Sequence, residues 1–256
     1  MALELGLPNR YPSAMTPEPW FSNWNYGIMR YLFNAIPHNT SNDIAFEFLS
    51  RNRLATTWIF AAVFYVFWSI QDSRTLWRRS HLFKIIVAFG IAVLVSLGVR
   101  PWIAWPAPAL SPRFQAFYPS YCWGNGSYNS FPSHSTLAYM LVSLGLGRLD
   151  WRISVVLSVL VIPLISIPLI YLGGHYPIDV ISSVMLAILV LALVWQWSVP
   201  IPLVNWLVRP GRRAALRELL LILWIFELAE GFRGATDLLI NIKHYLLATG
   251  QAAARF

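Results

Sequence analysis

Residues 153–197 read ISVVLSVLVIPLISIPLIYLGGHYPIDVISSVMLAILVLALVWQW. Two apolar runs, Ile153–Leu172 and Ile178–Trp197, flank a short turn. Each run is about the 20 residues that a helix needs to cross a bilayer. Asp179, at the edge of the second run, is the one Asp, Glu, Lys or Arg in either. Pro163 and Pro168 kink a membrane helix without ending it, because neighbouring helices and side chains satisfy the freed carbonyls. The pair therefore reads as two antiparallel membrane helices, with His175 and Asp179 where they meet at one membrane face.

Upstream, Ala55–Ile70, Leu82–Val99 and His134–Gly147 are three further candidate spans, the last of them short unless its helix extends to Trp151. Composition agrees. The chain of 256 residues is 57% hydrophobic and 12% charged, against about 25% charged in ordinary soluble domains. This excludes a disordered chain and argues against a soluble enzyme. A single cysteine, Cys122, leaves no internal disulfide and no cysteine-based zinc site.

The formal charge is +8, and its distribution accounts for it. Arg74, Arg78, Arg79, Lys84, Arg148, Arg152, Arg209, Arg212, Arg213 and Arg217 fall on one side of the alternating spans. Arg51, Arg53, Arg100 and Arg113 fall on the other. The excess of basic residues places the first group in the cytoplasm and removes the reason to invoke nucleic acid.

The expected fold is an all-α, polytopic transmembrane helical bundle of five to six spans, with amphipathic interfacial helices at both ends. Residues 1–53 form an N-terminal segment and 54–200 the membrane core. Residues 201–256 form a cytoplasmic amphipathic tail, in which the run Leu219–Phe226 lies on the membrane surface. Residues 1–19 lack the basic-then-apolar pattern of a cleavable signal. The aromatic stretch Trp20–Ile36 either lies in the interface or forms the sixth crossing.

Between Ile85 and Ser198 there are eight Asp, Glu, Lys, Arg or His residues. Arg148, Asp150 and Arg152 make one polar turn; the others are Arg100, Arg113, His134, His175 and Asp179. Alternating crossings bring Arg100, His134, His175 and Asp179 to the same face, whichever face is outside. Each has an ordinary explanation: a snorkelling arginine, a histidine behind the capping Ser133, a satisfied histidine and a helix cap. Their coincidence favours a site, since ionisable groups at membrane depth are functional candidates.

His175 and Asp179, at i and i+4, share a helix face. The carboxylate there would orient the imidazole and leave its second nitrogen free. A guanidinium and helix N-terminal N–H groups suit phosphate. With a histidine nucleophile and a second histidine as acid, the set fits phosphoryl transfer. No carboxylate cluster calls for a metal, and neither metal nor other cofactor is expected. A serine hydrolase built on Ser133, His175 and Asp179 is the alternative, but the G-x-S-x-G elbow is absent.

Tyr171-Leu172-Gly173-Gly174-His175-Tyr176-Pro177-Ile178-Asp179-Val180 resembles the third signature of the type 2 phosphatidic acid phosphatase superfamily. Ser130-Phe131-Pro132-Ser133-His134-Ser135-Thr136-Leu137 resembles the second, and Arg100-Pro101 the end of the first. The similarity runs from about Ala55 to Trp197. It implies that His175 attacks phosphorus to form a phosphohistidine, with Asp179 orienting it. It also implies that His134 protonates the leaving alkoxide and then helps water attack. Arg100, Ser133 and local N–H groups, Gly174 among them, would cradle the phosphate without a metal.

Three positions depart from the pattern. The family's Lys seven residues before its Arg is Val93 here, and the Ser-Arg six to seven residues before its histidine is Pro168-Leu169. His134 follows Ser133 directly, where the family has one residue between. Arg113, in the loop Pro101–Ser130, is the candidate to replace a lost cation. That loop is rich in Trp, Tyr and Pro and has no Asp or Glu, so it suits either a membrane belt or a roof over an anionic headgroup.

The sequence thus points to a membrane lipid phosphatase acting on a polyprenyl or glycerophospholipid phosphate or diphosphate. Its site would face the periplasm from a bacterial inner membrane. Two alternatives stand: a phosphotransferase moving a phospho-group between lipids or onto a sugar, and a catalytically impaired lipid-binding subunit. A membrane-protein partner or a homo-oligomer is compatible with all three.

Overall fold

The computed structural model describes residues 22–51, 53–99, 103, 105–111, 113–118, 130–208 and 212–229, and among these it is helical with no strand. The elements are α1 (Ser22–Ala35), α2 (Thr40–Arg51), α3 (Arg53–Ser69), α4 (Thr75–Val99), α5 (His134–Gly145), α6 (Trp151–Val161), α7 (Ile167–Tyr171), α8 (Pro177–Gln196), α9 (Ile201–Val208) and α10 (Arg212–Ala229). All five apolar stretches are helical. Among the described residues, three helices are long and apolar enough to cross a membrane: Thr75–Val99, Trp151–Tyr171 and Pro177–Gln196. The apolar part of α3, Thr57–Ser69, is shorter.

The α6–α7 run contains the two prolines. A proline removes an N–H and its ring collides with the carbonyl four residues back. The backbone answers with a π-helical turn over Ile162–Ser166, in which the Ile167 N–H reaches back to the Ile162 carbonyl. The wider turn carries the chain past Pro163 and Pro168 and directs Ser166 into the protein, where it is buried.

Helix α5 has 12 residues and ends in a 3-10 turn, Leu146–Arg148, so it does not extend to Trp151. Its shortness is tolerated because protein surrounds it. Residues Thr136–Ser143 and Gly145 are buried, and α3, α4, α6 and α8 pack around them. A helix buried on every side is apolar all round and need not match the bilayer thickness. Small and hydroxyl residues let the neighbours approach. Gly145 sits so close to α4 that a Cβ there would lie 2.7 Å from Ile85 Cγ1. Thr57 and Tyr139 join their hydroxyls across α3 and α5. Such interhelical bonds are worth about 0.6 kcal/mol each within a membrane bundle.

Contacts fix which helix ends lie together. At one end His81 meets the Gly145 carbonyl at 3.1 Å, Lys84 Nζ donates to the Trp195 carbonyl at 3.4 Å, and the Arg148 guanidinium covers the Trp195 ring. At the other end lie the start of α5, the turn after α7 and the start of α8. Helix α1 packs across this second end. Its Met29 is buried with Ala109, Phe114, Tyr118, Ile170 and Tyr176. Its 14 described residues, Ser22–Ala35, are fewer than a span needs and cap this end of the bundle; Trp20 and Phe21 lie outside the described residues.

The C-terminal helix α10 packs against α3. Trp68 Nε1 donates to Glu218 at 3.2 Å, and the Trp224 ring lies 4.7 Å from Phe64 and 6.1 Å from Phe89. Partners that run backward along α3 as α10 runs forward make the two helices antiparallel. Phe89 stands about 21 Å along α4 at ~1.5 Å per residue, so α10 reaches past the middle of α4. Its Leu219, Leu220, Ile222 and Leu223 stay exposed. The charges flanking the apolar run do not prevent this, because Arg217 and Glu218 pair locally at 3.0 Å.

Candidate active site

The third signature ends α7 and begins α8. Gly173 adopts φ +74°, a conformation that costs an L side chain, and its absent side chain matters again because a Cβ would come within 2.5 Å of Ala109. Its carbonyl accepts from Ala109 N at 3.1 Å, which draws the outer loop onto the turn. Tyr118 adds a hydroxyl bond to the Ile170 carbonyl at 2.9 Å. The Gly174 N–H is committed to the Leu169 carbonyl at 3.0 Å. Gly174 as placed therefore shapes the turn and does not offer its amide to a phosphate.

The turn delivers His175 against the loop that begins the second signature. Its Nδ1 lies 2.7 Å from the Ser130 carbonyl oxygen. A carbonyl only accepts, so Nδ1 carries the hydrogen and the neutral ring holds its lone pair at Nε2. Asp179 Oδ2 lies 3.7 Å from Nδ1, beyond hydrogen-bond length. That oxygen accepts instead from the Tyr176 N–H at 2.8 Å, closing a capping box at the start of α8. Asp179 is fully buried and its Oδ1 has no hydrogen-bond partner. The expected Asp179–His175 bond is thus a neighbour relation, and the Ser130 carbonyl sets the tautomer.

His134 is the first residue of α5, half-buried, with Nε2 2.7 Å from Ser96 Oγ. Ser133 occupies the N-cap without capping. Its buried hydroxyl donates to Thr136 Oγ1 at 3.0 Å, and Thr136 meets Ser166 of the π turn at 3.3 Å. The first N–H groups of α5 therefore receive no side-chain cap, which leaves the dipole end suited to an anion. The Ser133 hydroxyl is not turned toward a phosphate as expected; the residue contributes its helix start. Ser183 Oγ bonds the Ser133 carbonyl at 3.0 Å and stitches the second signature to α8.

Arg113 is held by α1: Nη2 donates to Asn23 Oδ1 at 2.6 Å and the guanidinium lies over the Tyr26 ring. Arg100 and residues 119–129 of the aromatic loop lie outside the described residues. Val93 is buried in the core and Leu169 packs against that core, so both positions of the lost family cations have apolar surroundings. Tyr176, buried under Phe114, has its phenol pushed up to about 12, chiefly by burial. A bond to the Ser111 side chain opposes the rise and the Asp179 charge adds to it. Among the described residues no three His, Cys, Asp or Glu side chains gather as metal ligands.

Ser96, Ser130, Ser183 and Asn25 were not legible as site residues. The first signal would have been a lone hydroxyl inside the apolar run of α4, one turn before Arg100. Asn25 belongs to α1, and its Oδ1 accepts from the Ile178 N–H at 3.2 Å.

The helical bundle thus places two histidines and a buried aspartate at one of its ends. The PAP2 superfamily model matches residues 81–201, and through this core the chain belongs to the type 2 phosphatidic acid phosphatase superfamily, whose members are generally phosphatases acting on phosphate esters. No curated protein and no solved structure matches the chain.

Proposed function

We propose that the protein is an integral membrane lipid phosphatase that removes phosphate from a polyprenyl or glycerophospholipid phosphate or diphosphate. His175 Nε2 attacks phosphorus, and the bond from phosphorus to the lipid oxygen breaks. His134 gives its proton to the departing oxygen, the alkoxide of a lipid monophosphate or the phosphate oxygen of a lipid diphosphate, leaving a phosphohistidine at residue 175. Water then attacks phosphorus as His134 takes its proton, the P–N bond breaks, and inorganic phosphate leaves with His175 neutral.

One observation carries this reading: the hydrogen bond from His175 Nδ1 to the Ser130 carbonyl, which reserves Nε2 for attack. The uncapped start of α5, beside His134, supports a phosphate position next to it. The charge asymmetry of the two ends supports a site on the extracytoplasmic face of the plasma membrane, in a bacterium the periplasmic face of the inner membrane.

A second reading, phosphotransfer to another lipid or a sugar, is favoured by the apolar surroundings of Val93 and Leu169. Without those cations, phosphate release draws less help, and an acceptor hydroxyl replaces water in the second step.

The test is phosphate release by detergent-purified protein from a panel of polyprenyl and glycerolipid phosphates and diphosphates, beside His175→Ala. Release that vanishes in the variant supports hydrolysis. Release only when an acceptor is added supports transfer. No conversion under either condition rejects both in favour of a binding subunit.

A further inference from the structure

Helix α2 carries an aspartate in its first turn, Asp43, whose charge suits the helix dipole. A capping role does not account for it. Asn39 already caps this helix, its Oδ1 accepting from the Asn42 N–H at 2.9 Å. Asp43 Oδ1 reaches instead to Tyr171, the last residue of α7, whose hydroxyl stands 2.6 Å away and 3.3 Å from the Pro37 carbonyl. The same oxygen lies 2.8 Å from His38 Nδ1, in the turn between α1 and α2. One carboxylate oxygen thus joins the α1–α2 turn, α2 and the end of α7. The contact is shielded: Tyr171 is fully buried, with the His38 and Phe46 rings 4.2 and 4.3 Å from its own. A charge-assisted bond held out of water fixes its donor more firmly than an exposed one.

The end of α7 is the frame on which His175 stands. The Leu169 carbonyl accepts from the Gly174 and His175 N–H groups at 3.0 and 3.3 Å, and Tyr118 grips the Ile170 carbonyl at 2.9 Å. Tyr171 is the next residue, and its hydroxyl ties this frame to α2. We propose that Asp43 is a positioning residue: it holds Tyr171, and through the end of α7 it holds His175 at its bond to the Ser130 carbonyl. Helices α1 and α2 precede the family match at residues 81–201 and on this view belong to the catalytic unit. Phe33 of α1 supports the arrangement, stacking on His38 at 5.1 Å and lying edge-on to Tyr118 at 5.3 Å. For its effect on kcat the inference rests on the phosphohistidine reading.

Tyr171→Phe deletes one hydroxyl and keeps the ring, so it tests the link with little disturbance of packing. The expected result is a kcat about tenfold lower with KM within about twofold, since a slightly displaced nucleophile loses rate rather than affinity. In an Asp43→Ala background the same substitution should cost less than about twofold more, because the link is already gone. Nitrogen-15 spectra of histidine-labelled protein read the state of His175 without turnover. Wild type should show a ring protonated at Nδ1, and Tyr171→Phe a ring averaging between both tautomers. Wild-type kcat together with a wild-type His175 spectrum in Tyr171→Phe overturns the proposal. So does an equal cost of Tyr171→Phe in both backgrounds. Should Asp43→Ala not fold, Tyr171→Phe alone decides. If the wild-type protein turns over no lipid phosphate, the functional reading fails, and the His175 spectrum of Tyr171→Phe still decides whether the link positions His175.

Discussion

The imidazole of His175 is held by a backbone carbonyl, that of Ser130, at 2.7 Å, while the carboxylate of Asp179 stands 3.7 Å away. The tautomer of the proposed nucleophile is therefore written into the main chain, and on the proposed mechanism the aspartate contributes charge and the start of α8. On this arrangement Asp179→Asn retains the tautomer and removes only a nearby charge, so kcat is expected to fall roughly tenfold. His175→Ala removes the reacting atom and is expected to abolish turnover. Steady-state kinetics of the two variants on one lipid phosphate check the ranking; equal losses would return the orienting role to Asp179.

Ser96 and His134 are joined at 2.7 Å across α4 and α5. Loss of a histidine that moves the leaving group's proton is expected to cost about 10²–10⁴-fold in kcat. Ser96→Ala leaves that histidine in place and removes one bond of about 1 kcal/mol, so its expected cost is about fivefold. A substrate with a good leaving group tests the assignment. It should rescue His134→Ala and leave His175→Ala inactive.

Gly173 cannot accept a side chain. Its φ of +74° costs an L residue roughly 1–2 kcal/mol, and the Ala109 Cβ at 2.5 Å forces the outer loop to move as well. Gly173→Ala is expected to lower both melting temperature and activity, whereas Gly90→Ala in α4, where nothing lies within 4 Å, should change neither.

Tyr176 links stability to pH at the alkaline end. Its folded-state pKa, about 12, lies above the ordinary value near 10, so folding favours the neutral phenol. The stabilisation is complete below pH 10 and is lost as pH rises from 10 to 12. Melting temperatures across that window should fall for wild type and fall less for Tyr176→Phe, which has nothing to ionise.

The placement of α10 is open to labelling. In a Cys122→Ala background, Ile222→Cys should resist a hydrophilic maleimide in intact membranes and react after detergent if the exposed apolar face of α10, packed beside α3, is covered by lipid. Ready labelling from the cytoplasmic side would return Leu219–Phe226 to the membrane surface.

The helices of the core were legible because nothing but an apolar helix satisfies its own backbone in lipid, and the third signature carried its turn in Gly173. Four features were hidden for physical reasons. A π turn costs no apolarity, so Pro163 and Pro168 mark where the backbone is disturbed without saying how it recovers. Helix α10 carries charges near its apolar run, and only the pairing of Arg217 with Glu218 and the ring contacts of Trp224 reveal why it still packs inward. Ser133 looked like a cap and a phosphate ligand, yet its hydroxyl goes to Thr136, a choice set by the π turn that presents Ser166 from another helix. Asn25 lies 150 residues and more from the turn it supports, and single-sequence spacing carries no trace of such a contact.

The most direct test is to trap the intermediate. Purified protein is mixed with a lipid phosphate labelled in phosphorus, quenched in base within the first turnover, and mapped by mass spectrometry. The expected result is an acid-labile, base-stable phosphoryl group on His175, absent from His175→Ala and longer-lived in His134→Ala. Turnover with no label on residue 175, or label carried by another side chain, would contradict the assignment of His175 as nucleophile.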